Sequence, residues 1–201
     1  MSDLVHSASG PVPVEYHQFL IFDPEGPVTD EELDVSADGV TALSEGRVEI
    51  HTGIRSGDVQ VTVAAYSSTP EADPGPWQEV TELSIHSPSG EVLVGALMDD
   101  LEDELPSLAV GGSDHHRLRI HARGRDTAID LTPDEITEHY LIQCWPAPPA
   151  PPRSLSSRDQ YGAQLRSGPP APTEAPVANR GPRGQSARER DILHRSLESD
   201  G

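Results

Sequence analysis

The chain has 201 residues, and its 34 acidic side chains outnumber 14 basic ones, giving a net charge of −20. All 14 basic residues are arginine. A chain of this length suits one ordinary domain, and no apolar run approaches the roughly 18 residues of a membrane-spanning helix. The single cysteine, Cys144, excludes an internal disulfide and a multi-cysteine metal site. The first residues carry neither a basic region nor an apolar signal segment, so we expect a cytoplasmic protein.

Proline content divides the chain into two parts. Ten of the 20 prolines lie between Pro146 and Pro182, where apolar residues are scarce. Such a segment buries too little surface to offset the entropy lost on ordering. We therefore expect a folded domain over residues 1–145 and a disordered Pro/Gly/Arg-containing tail over residues 146–201. Capping-box spacing predicts one short helix in this tail, near residues 187–198.

Alternation of apolar and polar side chains predicts a β-rich domain. Turn residues separate the alternating stretches. Ser56-Gly57 predicts a hairpin between the strands Val48–Ile54 and Val59–Ala65. Short strands at this spacing favour an all-β fold, an antiparallel β-sandwich or partly open barrel of about seven to eight strands. The predicted strands are Val14–Phe22, Val48–Ile54, Val59–Ala65, Trp77–His86, Glu91–Leu97, His115–Arg123 and Ile136–Trp145.

One predicted strand concentrates positive charge. Four of the six arginines in the first 150 residues lie between Arg117 and Arg125, and period-two alternation puts most of the basic side chains on one face. One interpretation is an anion-binding face, since guanidinium groups suit phosphate and carboxylate. The alternative is pairing with carboxylates on neighbouring strands, such as Glu91, Glu135 or Glu138. The candidate anion-binding residues are Arg117, Arg119, His121 and Arg123.

The histidines and the cysteine do not form a recognisable catalytic or metal motif. His115 and His121 share a predicted strand face but lie about 20 Å apart at the usual rise per residue. We therefore expect no metal site and no cofactor. Cys144 lies in an apolar strand and is expected to be a buried small hydrophobe. No spacing singles out a catalytic triad, so we expect no enzyme activity.

Two runs of acids are candidate contacts for a partner. Neither has the Asp-x-Asp-x-Asp-Gly frame of a calcium loop. The runs either keep the protein solvated or present carboxylates to a basic cleft, where they take the place of phosphates. The candidate partner-binding residues are Asp30, Glu31, Glu32, Asp99, Asp100, Glu102, Asp103 and Glu104.

Several short motifs resemble one family of bacterial proteins. Tyr16-His17-Gln18-Phe19, followed by Ile21-Phe22, resembles the opening of the competence protein J family, small inhibitors of the competence DNA-entry nuclease. Three further pieces follow in the same order, so the resemblance spans about residues 14–143. It implies a β-fold and a protein-binding, nuclease-restraining role. The further pieces are Thr29-Asp30-Glu31, Ala37–Val40, and Glu79–Thr81 with Val92–Val94.

The sequence therefore favours an acidic, non-catalytic binding protein that inhibits or neutralises a protein with a basic surface. A nuclease is the candidate partner. A net charge of −22 over the first 150 residues opposes direct binding of nucleic acid, and no membrane partner is expected. One alternative is a small-ligand or metal-binding β-barrel enzyme that uses histidine and arginine. A second is a scaffold that recruits partners through its tail.

Overall fold

The computed structural model describes residues 3–27, 33–35, 37–96 and 105–168. Within these ranges the chain forms ten strands and one helix, and no described helix is long and apolar enough to cross a membrane. The elements are β1 (Leu4–Val14), β2 (Gln18–Phe22), β3 (Thr41–Ser44), β4 (Arg47–His51), β5 (Gly57–Tyr66), β6 (Glu79–His86), β7 (Leu93–Gly95), β8 (His115–Arg123), β9 (His139–Pro146), β10 (Arg153–Ser157) and α1 (Gln160–Ser167).

The strands form two sheets that enclose one apolar core. The large sheet has the order β1-β5-β9-β8-β6-β10 and the small sheet β3-β4-β2-β7. Valine, isoleucine and leucine side chains from both sheets fill the core, and Phe19 of the small sheet meets Tyr140 of the large sheet edge to face at 5.1 Å. The expected all-β, two-sheet architecture is confirmed. It has more strands than expected, and β5 and β9 pair in parallel.

The expected strand Val14–Phe22 is two strands in different sheets. β1 belongs to the large sheet and β2 to the small one, and the chain reverses between them at Tyr16 and His17. Apolar residues continue on both sides of the reversal, so the segment resembles one long strand.

The expected hairpin at Ser56-Gly57 is also absent. β4 lies in the small sheet and β5 in the large one, so the segment between them crosses from sheet to sheet. Residues distant in sequence fix this crossing. The backbone N–H of Ile54 donates to the Glu138 carboxylate at 2.7 Å, and a Cβ on Gly53 would lie 1.9 Å from the Arg125 carbonyl oxygen.

Ordered structure continues past the boundary expected at residue 145. β10 pairs antiparallel with β6, and α1 follows it, with Asp159 as the N-cap. Polar contacts attach this segment to the large sheet. The expected boundary rested on the scarcity of apolar residues, which does not indicate polar contacts. The predicted helix near residues 187–198 lies outside the described part of the chain.

A buried ion pair attaches α1 to the sandwich. The Arg125 guanidinium binds both carboxylate oxygens of Asp159, at 2.6 and 3.0 Å, and both side chains are fully buried. It also donates to the backbone carbonyls of His51 and Gly39, each at 2.9 Å. Burial alone would raise the pKa of Asp159, but the hydrogen bonds and charge of Arg125 hold it below its ordinary value.

Replacing Asp159 with Asn should destabilise the protein by about 3–5 kcal/mol, because it leaves the Arg125 charge buried without its counter-ion. Urea unfolding of the full chain measures this change. The exposed Asp134→Asn is the control and should cost less than about 0.5 kcal/mol.

A chain ended after residue 150 should lose stability, whereas one ended after residue 168 should keep it. Equal stability of both truncated chains would contradict the anchoring role.

His51, the last residue of β4, is a half-buried histidine whose surroundings favour the neutral imidazole. Burial lowers its pKa, and the nearby Arg125 charge lowers it further, from 6.5 to about 4. Its Nε2 atom makes no hydrogen bond within the described part of the chain. The folded state therefore binds a proton at His51 less readily than the unfolded chain does.

Acid should consequently destabilise the protein through His51. Its contribution to the free energy of unfolding is complete above pH 6.5 and is lost as the pH falls towards 4, by up to about 3 kcal/mol. The variant His51→Asn removes this titration but keeps the carbonyl that Arg125 needs. Urea midpoints at pH 7 and pH 5 should therefore differ less in the variant than in the original protein. Identical pH dependence would contradict this assignment.

Candidate protein-binding site

A tight turn joins β1 to β2 and presents an aromatic side chain. Glu15 and Gln18 exchange two backbone hydrogen bonds, of 3.2 and 3.1 Å. The two residues between them, Tyr16 and His17, have φ values of 53° and 66°. Such turns favour Asn and Gly, because other L-residues at positive φ cost about 1–2 kcal/mol each. The sequence thus retains two unfavourable residues at this turn.

His17 holds the turn against the neighbouring loops. Its Nε2 atom lies 3.2 Å from an Asp130 carboxylate oxygen. Its backbone N–H donates to the Arg55 carbonyl at 3.0 Å, and its own carbonyl accepts from the Thr52 N–H at 2.8 Å. Tyr16 itself is 76% exposed. The turn therefore holds an exposed tyrosine on a fixed backbone.

The surface around Tyr16 combines a polar groove, an apolar side chain and several acids. The groove has a volume of about 340 Å³, and Leu131 next to it is 59% exposed. The Arg55 N–H donates to the Leu131 carbonyl at 2.8 Å, which joins the two loops that form this surface. We call this surface the Tyr16 end. It comprises the groove residues Glu15, Tyr16, Arg55, Ser56 and Thr132 and the exposed residues close to them in sequence, which are Asp58, Leu131, Asp134 and Glu135.

The described arginines are used mostly inside the protein. Six of the nine form ion pairs with carboxylates, namely Arg47, Arg117, Arg119, Arg125, Arg153 and Arg166. Among the described residues, twelve acids are exposed against three arginines, so this part of the surface is more acidic than its composition alone requires. The exposed acids are Asp3, Glu25, Asp34, Glu45, Asp58, Glu71, Asp73, Glu91, Asp114, Asp130, Asp134 and Glu135; the exposed arginines are Arg55, Arg153 and Arg158.

Two arginines of the predicted anion site bind a buried carboxylate. The Nε atoms of Arg117 and Arg119 lie 3.5 and 2.7 Å from the carboxylate oxygens of Glu82. Arg119 also donates to the Gln143 side chain and Arg117 to the Pro151 carbonyl. Pairing with a neighbouring strand is therefore present, although with Glu82 rather than the acids expected. An external anion would have to displace Glu82 from both groups.

The other two residues of that predicted site lie against an aromatic ring. His121 is buried 5.4 Å from the Trp77 ring, and its Nδ1 atom lies 3.2 Å from the Leu141 carbonyl oxygen. Arg123 lies over the same indole, also at 5.4 Å. Burial lowers the pKa of His121, which favours its neutral form. The four candidate residues thus lie in two separate environments, and anion binding there stays a prediction.

The predicted partner contacts on the two acid runs fall outside the described residues. These are Asp30, Glu31, Glu32, Asp99, Asp100, Glu102, Asp103 and Glu104.

The sequence does not predict the residues of the Tyr16 end as a site, because alternation places Tyr16 in the interior of a strand. One signal for the turn is present in the sequence. The inward residues are Val12 and Val14 before the turn but Phe19 and Ile21 after it, and this change from even to odd positions is incompatible with one regular strand.

Comparisons with known proteins identify a structural likeness. No family model matches the chain, and no curated protein matches it. Among solved structures, it is similar to ComJ of Bacillus subtilis, described as the inhibitor of the DNA-degrading activity of NucA. The identity is 13%, with 73% of this chain and 99% of ComJ covered and a TM-score of 0.49. The crocagin biosynthetic protein J is also similar, with 17% identity, 71% and 98% coverage and a TM-score of 0.45.

Replacing Tyr16 with Asn should stabilise the protein by about 0.5–1 kcal/mol, because Asn adopts positive φ at less cost and little buried surface is lost. Thermal unfolding should show a midpoint higher by roughly 1–4 °C. The control is Leu131→Asn, which makes a similar change at an exposed position without positive φ. A lower midpoint for the Tyr16 variant would show that the ring packs on the protein and that the turn is not strained.

Proposed function

We propose that the protein acts by binding rather than by catalysis, and that it inhibits a protein partner with a basic surface. A nuclease is the class of partner that the sequence motifs favour. The Tyr16 end is the proposed contact surface within the described part of the chain. The acid runs at residues 30–32 and 99–104 are proposed to add charge to the same interaction.

The observation that carries this proposal is the exposed, fixed tyrosine in an acidic setting. Aromatic side chains dominate the energy of many protein interfaces, because they bury a large area at a small cost in conformational entropy. Here the backbone of the turn is held from two sides, so Tyr16 needs little reorganisation to bind. A turn that keeps Tyr-His where Asn-Gly is preferred gives up stability, which is typical of functional sites.

The distribution of charge indicates the kind of partner. Because most described arginines are paired with carboxylates inside the protein, the acids at the surface keep their negative field. Such a field accelerates encounter with a cationic protein and disfavours acidic ones. A nuclease has a cationic cleft for the phosphate backbone, and carboxylates placed there exclude DNA.

The test is inhibition of DNA degradation by the full chain. Basic proteins from the source organism are fractionated by cation exchange, and each fraction digests a labelled DNA duplex with and without the protein. We expect saturable inhibition in at least one fraction, weaker as salt rises past about 0.15 M, where the screening length is roughly 8 Å. Absence of inhibition in every DNA-degrading fraction would remove the nuclease from the proposal.

Two matched sets of charge variants then locate the surface. The test set replaces Glu15, Asp58, Asp134 and Glu135 with their amides, and the control set replaces Glu25, Glu45, Glu71 and Glu91. At low salt the test set should slow association at least tenfold and the control set much less, although both remove four charges. Tyr16→Asn should weaken binding about 30-fold, as expected for a central anchor. Equal effects of the two charge sets, with no effect of the Tyr16 variant, would place the contact elsewhere.

A further inference from the structure

Three side chains at the other end of the sandwich from Tyr16 lie in positions that suit a metal ion. His86 is the last residue of β6 and His115 the first residue of β8, and the two residues pair directly across these antiparallel strands. Asp114 immediately precedes His115. One potential ligand atom from each of the three side chains lies within 4.8 Å of the other two. No other group of this kind occurs among the described residues.

We propose that His86, His115 and Asp114 bind a divalent transition metal of the zinc class. Two imidazole nitrogens and one carboxylate oxygen are a donor set that zinc accepts, with bonds of about 2.0–2.2 Å. Three protein ligands leave at least one coordination position for water or for a group on a partner. Harder cations such as Mg²⁺ prefer oxygen ligands and fit this set poorly.

The backbone around the three residues is fixed, whereas their side chains are free to adjust. The Ser87 N–H donates to the Asp114 carbonyl at 2.7 Å, and Ser113 exchanges hydrogen bonds with the backbone of His115. Neither imidazole ring makes a hydrogen bond or ion pair with another described residue. The rings instead stack on each other with centroids 4.6 Å apart. The ring nitrogens are therefore available to an ion, which would draw the three donor atoms closer together than the 4.8 Å within which they now lie.

The sequence alone does not predict the pairing of His86 with His115, because the two residues are distant along the chain. The spacing of His115 and His121 on one strand argued against a shared ion. The second imidazole is supplied by β6, and only the register of β6 with β8 brings His86 opposite His115.

The test is a zinc titration of the full chain, made without a polyhistidine tag, freed of metal with a chelator and monitored with a competing fluorescent indicator. We expect one zinc ion to bind per chain and millimolar Mg²⁺ not to compete. His86→Asn and His115→Asn should each weaken zinc binding at least tenfold. The control His139→Asn, at a half-buried histidine far from the group, should leave zinc binding unchanged.

Zinc at one hundred times its dissociation constant should raise the thermal midpoint by roughly 5–10 °C in the original protein.

Histidine ring resonances of the original protein supply a measurement that does not depend on the folding of any variant. Zinc should shift the ring signals of His86 and His115 and leave those of the buried His116 and His121 unchanged. Absence of tight zinc binding would overturn the site. So would zinc binding that survives both substitutions, or shifts spread over all the histidines, since either result indicates non-specific surface binding.

Discussion

The arrangement of this fold depends on the hydrogen bonds and the ion pair that the buried Arg125 guanidinium makes. It is completely buried, and a charge in that position is tolerated only when nearly every donor has a partner. Its partners come from three distant parts of the chain: the carbonyls of Gly39 and His51 beside the small sheet, and the Asp159 carboxylate at the start of α1. The same cation therefore fixes the distance between the sheets and the position of α1. Arginine suits this role better than lysine, because its planar group donates in several fixed directions at once.

Local patterns in the sequence predicted strands well and their partners poorly. The strand His115–Arg123 has the bounds expected from alternation, because period-two polarity depends only on neighbouring residues. Alternation also located β4 and β5, but it could not show that they belong to different sheets. The alternation of a strand with one buried face is the same in the small sheet and in the large sheet. The ordered segment after residue 145 was missed because its attachment uses ion pairs. Composition measures apolar content and does not register a buried pair such as Arg125 and Asp159.

The candidate site was predicted only in part for a related reason. The Tyr16-His17 motif contributes to the family resemblance, but its place in a tight turn depends on two positive φ angles. Tyrosine and histidine rarely adopt such angles, so the residue types do not indicate the turn. The acidity of the surface was evident from composition. Its strength was not, because a sequence does not show which arginines are paired inside. Among the described residues, arginine–carboxylate pairs hold part of the interior, whereas twelve other carboxylates are exposed to solvent.

The parallel pairing of β5 with β9 has a consequence for how the chain folds. β9 lies at the centre of the large sheet, between β5 and β8, and it pairs with a strand that ends more than seventy residues earlier. During synthesis β1 and β5 can pair early, but the other edge of β5 keeps its backbone groups unpaired until residue 146 has emerged. Contacts this distant form slowly, because a long loop must close first. The nascent chain therefore exposes an open strand edge of β-branched residues for much of its synthesis, which makes that interval the period of greatest risk for aggregation.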